Sequence, residues 1–282
     1  MIISNKNQFI NLIKNTLKNF NSRYVIIKPN WVSITEGEYT EPEILDWLLS
    51  AFPKQEKIIV ESYTPWRGFE FKKNQVGLRN GKKYLSLYEE QDKFFLEKTG
   101  IINILKKHQA RYINITKEFW QKRSVKSTVI KKLLNEKNYL LFRQDFFYYI
   151  PSELFKIRDN SIFISLAKIK TEESTPSIKI SLSLKNIFGL LPHPSREIFH
   201  KNNNQLIPKV VNDLYCLSTK IFPKTFWINE GIKTWVKNYR EKNQEIIKNQ
   251  GLLFFGKDGK EVDRKTCQFL GINWQEIDYL KT

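Results

Sequence analysis

At 282 residues, 41% hydrophobic and 14% aromatic, the chain is long enough to bury a full core, which excludes a disordered protein. A formal net charge of +18 is the compositional outlier and implies a strongly positive field around any cleft, or affinity for polyanions. Two cysteines, Cys216 and Cys267, exclude a disulfide framework and a four-cysteine iron–sulfur site, and the scarcity of glycine argues against a glycine-rich nucleotide loop.

No run approaches 18 apolar residues, so no membrane helix and no membrane partner are expected. The first residues, MIISNKNQFINLIKN, lack a charged segment followed by an apolar one. No signal peptide is therefore expected, and the protein reads as soluble and cytoplasmic.

Residues 5–20 place Phe9, Ile10, Leu12, Ile13, Leu17 and Phe20 at helical spacing behind Ser4 as a cap. YVIIK (24–28) follows as a buried strand stopped by Pro29, and Thr40-Glu41-Pro42-Glu43 reads as a capping box opening a helix through Leu49. KIIVE (57–61) is the next strand, which makes a βαβ unit and predicts a parallel sheet. Residues 64–84 form a basic, aromatic, turn-rich loop, 86–108 a helical stretch, and 112–115 a strand. A helix near 125–135, strands near 139–142 and 146–150, and a helix start at Pro151 complete this half.

The second half begins with a strand at 161–166. A helix at 205–220, a strand at 225–228, a polar segment at 233–249 and a strand at 251–255 come next. The last helix, 261–270, stops at Gly271 as a left-handed terminator. Between them, Ile178, Ile180, Leu182 and Leu184 alternate as in a strand, whereas Leu184, Ile187, Phe188 and Leu191 space as a helix. Helix from about residue 182 is the preferred reading. The fold class is α/β: an open, mostly parallel sheet flanked by helices. It forms one globular unit over 1–282, in two tightly associated halves of about 1–150 and 151–282.

The candidate chemistry gathers at strand ends. Lys168 and Lys170 close an apolar strand, and Lys185-Asn186 lie just beyond. Ammonium groups at the carboxyl edge of a parallel strand face the usual ligand crevice of an open sheet and suit a phosphate or carboxylate. Solvated lysines at strand ends are the plain alternative. Asn30 follows Lys28-Pro29, and Ser62 follows Glu61, so both reach the same edge. His193 and His200 flank Arg196 in LLPHPSREIFH, where they offer proton transfer and an anion clamp at a spacing that matches no zinc motif. His108 reads as an inert residue of an exposed helix. Glu230 ends the strand at 225–228, while Asp258 suits a turn, Asp263 a helix, and both cysteines core packing. GLRNGKK (77–83) is a near miss for a phosphate loop, without the required gap or the hydroxyl residue after lysine. Segments 66–84 and 117–132 mix aromatic and basic residues as single-stranded nucleic-acid surfaces do.

VIIKPNW (25–31), SLAKIKT (165–171), LKNIFGLLP (184–192), REIFH (196–200), INEGI (228–232) and GKDGKEVDRKTCQFLG (256–271) form an ordered set. In this the chain resembles the uncharacterised family called domain of unknown function 362. The resemblance covers most of the chain and implies an α/β fold in a cytoplasmic protein of redox settings, served by an external electron-transfer partner. The chain departs from the family pattern at Glu172, where the family has histidine, and at Glu230, where it has aspartate. No cysteine cluster remains, so no intrinsic iron–sulfur cluster is expected; any other cofactor is left open.

The leading expectation is an enzyme of small-molecule metabolism binding a small anionic ligand. Lys168, Lys170 and Lys185 neutralise it, Asn30, Ser62 and Asn186 orient it, and Arg196 clamps it. Lys185, His200 and Glu230 are the candidates for catalysis. The alternatives are a single-stranded nucleic-acid-binding protein and a non-catalytic partner protein.

Overall fold

A computed structural model describes residues 2, 5–68, 80–134, 150–172, 179–196, 198–200, 205–237 and 244–281. Its centre is a seven-stranded sheet. The strands are β1 (Tyr24–Lys28), β2 (Glu56–Glu61), β3 (Arg111–Asn114), β4 (Ser161–Glu172), β5 (Lys179–Ser181), β6 (Thr225–Lys237) and β7 (Gln244–Gly256). The order is β3-β2-β1-β4-β6-β7, with β5 on β4. Pairing is parallel from β3 through β6, while β7 and β5 run antiparallel to β6 and β4. Strands from both halves of the chain therefore share one sheet, joined at β1–β4.

The continuous apolar runs of β1 and β2 follow from burial on both faces. Ile26, Ile58, Val60, Phe163 and Trp227 enter one core with the helix Leu206–Ile221 and residues 184–191. Their strand neighbours Val25, Ile27, Ile59, Ile164 and Ile228 enter a second core on the other face. The helices Lys6–Leu17, Pro42–Ser50, Leu85–Lys98 and Ile101–Lys107 pack there.

The chain builds β1, β2 and β3 outward in one direction, then returns to lay β4 on the opposite edge of β1. That reversal parts the loops at the carboxyl ends of β1 and β4, the usual crevice of such sheets. β1 stops at Lys28, paired with Ser165, because Pro29 cannot continue the ladder. β4 runs on, and its freed edge is taken by β5, with Lys170 opposite Ser181.

Several local expectations give way to tertiary contacts. The first helix is capped by Asn5, whose side chain accepts from Gln8 N, rather than by Ser4. The capping box does not form: Thr40 Oγ1 accepts from Asn30 N at 2.9 Å, and Glu41 turns to Lys168. The stretch 86–108 is two helices, broken where Gly100 takes φ 75°. Of the polar segment 233–249, the described residues 233–237 and 244–249 form an antiparallel ladder, with Lys233 opposite Lys248 and Lys237 opposite Gln244. The strands expected at 139–142 and 146–150 fall, Ile150 apart, outside the described residues. His108 is not exposed, for its Nε2 lies 2.6 Å from the Oδ1 of Asp46, beside Lys6 and Lys107.

The 178–191 ambiguity resolves into both forms, with β5 followed by the helical turns Ser183–Asn186 and Ile187–Leu190. Asp263 anchors this switch. Fully buried in the helix Gly259–Phe269, it accepts from Ser183 N and Oγ, Leu184 N and Asn229 Nδ2 at 2.6–3.1 Å. Burial raises its pKa to about 6, against the pull of those donors. Gly271 ends that helix at φ 69° as expected, with its N–H bonded to the Gln268 carbonyl. Asp263→Ala should cost about 3–5 kcal/mol, read from urea unfolding, because it orphans several buried donors at once. A loss below about 1 kcal/mol would show that the turn does not depend on this carboxylate.

Candidate functional site

Lys28 and Glu61 are the terminal residues of adjacent parallel strands, so their side chains meet where the ladder opens. Lys28 Nζ donates to Glu61 Oε2 and to the Pro29 carbonyl, both at 2.7 Å, and to Asn186 Oδ1 at 3.3 Å. The pair is nearly sealed, with side-chain exposures of 1% and 4%. Glu61 also accepts from the backbone N–H groups of Trp31 and Ser62. Burial lowers the Lys28 pKa to about 8; Glu61 opposes this, while Arg196 and Arg67 lower it further.

Asn186 is the hinge of the cluster. Its Nδ2 donates to the Lys28 carbonyl at 3.0 Å and to Ser165 Oγ at 3.1 Å, tying the helical turn to both β1 and β4. Arg67 reaches in from the loop after β2. It bonds the carbonyls of Trp31 and Ser62 and pairs with Asp92 of the helix Leu85–Lys98. Burial works against its charge, but Asp92 and Glu61 more than offset that and hold its pKa above the usual arginine value. Gly189 closes the arrangement: a β-carbon there would lie 2.6 Å from Lys28 Nζ and 2.7 Å from Glu61 Oε1.

These groups floor a cavity of about 510 Å³ at the carboxyl ends of β1 and β4. Among the described residues, five cations line it, Lys28, Arg67, Lys170, Lys185 and Arg196, against one carboxylate, Glu61. Pro65, Trp66, Phe188 and Pro194 supply an apolar wall, with Trp66 52% exposed. Arg196 Nη2 donates to Ser62 Oγ and to the Gly189 and Leu191 carbonyls, while its Nε is buried without a partner among the described residues. Burial lowers the Arg196 pKa to about 10, despite the attraction of Glu61.

Seven residues singled out in the sequence line this cavity. They are Asn30, Ser62, Lys170, Lys185, Asn186, Arg196 and His200. The side chain of Asn30 also closes its own loop through Nδ2 to the Glu38 carbonyl at 2.8 Å. Lys168 and Glu230 do not reach it. With Leu166 and Ile228, they alternate onto the opposite face of the sheet. There Lys168 Nζ sits between Glu41 and Glu230, at 2.9 Å from the latter, all three buried. His193 packs its ring edge-on against Phe119, and burial, with Arg196 nearby, lowers its pKa to about 4. Lys28, Glu61 and Gly189 carried no assigned role in the sequence reading, and Arg67 figured there only in the aromatic–basic segment 66–84. The available signal was a charge closing each of two otherwise apolar strands.

Two tests follow from these clusters. Gly189→Ala should push Lys28 off Glu61 and lower stability by on the order of 3 kcal/mol, read from the urea midpoint. An unchanged midpoint would mean that the pair relaxes freely. On the other face, burial raises the Glu230 pKa to about 7; Lys168 opposes the rise and Glu41 adds to it. The folded protein thus keeps a proton that the unfolded chain releases near the ordinary carboxylate value. This contribution is present below that value and is lost as pH rises through about 7. Glu230→Gln should therefore flatten the decline in melting temperature over that window, whereas Lys168→Met should cost about 3–5 kcal/mol by leaving two carboxylates unpaired. Equal pH profiles for wild type and Glu230→Gln would rule out this linkage.

Among the described residues no helix is long and apolar enough to cross a membrane. No curated protein and no solved structure matches the chain. The sequence does match the family described as a domain of unknown function (DUF362) over residues 25–268, which span the sheet, the cavity floor and the Asp263 anchor, and the protein belongs to that family.

Proposed function

We propose that the protein is a cytoplasmic enzyme of small-molecule metabolism. In this reading it binds a phosphate- or carboxylate-bearing ligand in the crevice at the carboxyl ends of β1 and β4. The observation that carries it is the charge of the cavity among the described residues, five lining cations to one lining carboxylate, with a buried Arg196 Nε–H that meets no acceptor among them. A buried donor without a partner is costly, and an anion would satisfy it with a charge-assisted bond. Lys170 and Lys185 contribute field and donors from β4 and the Ser183–Asn186 turn, and His200 lies at the exposed rim as a proton-transfer group.

The nucleic-acid alternative draws less support from segment 117–132. Trp120 is buried against Tyr63 and Tyr88, out of reach of a stacking base, and Lys117 and Arg123 pair with Glu89 and Glu118. Most of the other segment, 69–79, lies outside the described residues.

Thermal-shift titration with inorganic phosphate and small carboxylates separates the readings. Arg196→Ala and Lys185→Ala should each weaken binding about 10–100-fold, the worth of one charge-assisted bond, and Lys185→Ala should do so without lowering the melting temperature of the ligand-free protein. Unchanged affinity in both variants would overturn the site. Affinity for single-stranded oligonucleotides that declines gradually as lysines are removed would favour the alternative.

A further inference from the structure

We propose that Lys28 is a reactive amine that forms an imine with an anionic carbonyl compound, a 2-oxo acid, held in the crevice. The proposal rests on the anion-binding reading above and names its substrate class.

Lys28 differs from the other cavity lysines in placement. Lys170 and Lys185 are half-buried, whereas Lys28 lies on the floor at 1% exposure. Its Nζ is fixed from three sides, by Glu61, the Pro29 carbonyl and Asn186. The remaining valence of Nζ is its own Cε, so a ligand reaches the amine by displacing Asn186 Oδ1, the longest of the three contacts at 3.3 Å and itself part of the cavity lining.

An amine nucleophile also needs its neutral form and a nearby proton acceptor. Burial, aided by the repulsion of Arg196 and Arg67, brings the ammonium to about 8, so that roughly a tenth is neutral at pH 7. Glu61 Oε2, 2.7 Å away, is placed to take the departing proton and return it. Desolvation beside other cations is a general way of activating lysine toward carbonyl carbon.

The step balances without an oxidant or reductant. The Nζ lone pair adds to the carbonyl carbon, the carbinolamine loses its oxygen as water, and C=N replaces C=O. Both hydrogens of the neutral amine leave in that water, one by way of Glu61. The carboxylate of the oxo acid, adjacent to the reacting carbon, meets the cations that surround Lys28, with Arg196 Nε as one donor. This adjacency of amine and anion site favours a 2-oxo acid over a neutral aldehyde.

The full chain would be treated with cyanoborohydride and, in turn, glyoxylate, pyruvate and 2-oxoglutarate, and the reduced adducts located by peptide mass mapping. Lys28 should be labelled about tenfold ahead of exposed lysines by at least one of the three, as expected for a positioned amine. Its labelling rate should climb as pH rises through about 8. The mapping uses wild-type protein, so it holds even if Lys28→Met fails to fold. Absence of label on Lys28 with all three acids, or label spread over lysines by exposure alone, overturns the proposal. The melting temperature with each acid, measured in parallel without reductant, tells the two readings apart. Stabilisation without Lys28 labelling leaves the anion site standing and removes the imine, and neither effect removes both.

Discussion

A buried lysine–glutamate pair at the ends of two adjacent strands sets most of the local architecture. Removing both charges from water costs several kcal/mol per ion unless every donor and acceptor is met. Lys28 and Glu61 meet that demand by recruiting their surroundings. The chain after β1 turns so that Pro29 offers its carbonyl and Trp31 its N–H. The loop after β2 brings Ser62 N–H and Arg67 to the same place. Asn186 is drawn in from the other half of the chain, and position 189 is restricted to glycine by the space the pair fills. The cavity is the space left above this arrangement, and cations outnumber carboxylates among its described lining residues.

The sheet holds a second buried charge cluster on its opposite face, and the contrast between the two is instructive. Lys168 is shared by Glu41 and Glu230, which join β4, β6 and the start of the helix Pro42–Ser50. The cavity at the β1–β4 crevice is not lined by any of the three. With one cation to two carboxylates, this cluster relieves its excess charge by holding a proton, whereas the Lys28 cluster has an excess of cations and open space. The first reads as an internal clamp whose strength depends on pH, the second as a place for a ligand. Asp263 belongs to neither, yet it fixes the turn that carries Asn186 and Lys185 and so sets the cavity's far wall.

Much of the fold was legible because its signals are local. Apolar runs such as YVIIK and KIIVE have one use, a strand buried on both faces, and alternation of βαβ spacing then implies parallel pairing. Gly271 stops a helix by its own backbone freedom, independent of its surroundings. The misses came where a local motif was outbid by a distant partner. Thr40 and Glu43 have the spacing of a capping box, but Thr40 accepts from Asn30 and the cap position falls to Glu41, which pairs with Lys168. The polar residues 233–237 and 244–249 become strand because β6 and β7 pair with each other, which composition does not report.

The same division holds for the site. The amino-acid sequence by itself determined that basic and amide side chains would collect at the carboxyl ends of parallel strands, since strand ends and the residues beyond them can be counted along the chain. Which of those side chains share a cavity was decided only by the tertiary structure. Lys168 and Lys170 are two residues apart, yet one is sealed between carboxylates across the sheet and the other lines the crevice. Lys28 and Asn186 are 158 residues apart and in contact. The side to which a strand residue turns, and the partner that waits there, depend on register, on the point where the strand order reverses, and on helices from elsewhere in the chain. None of these is a property of a local segment.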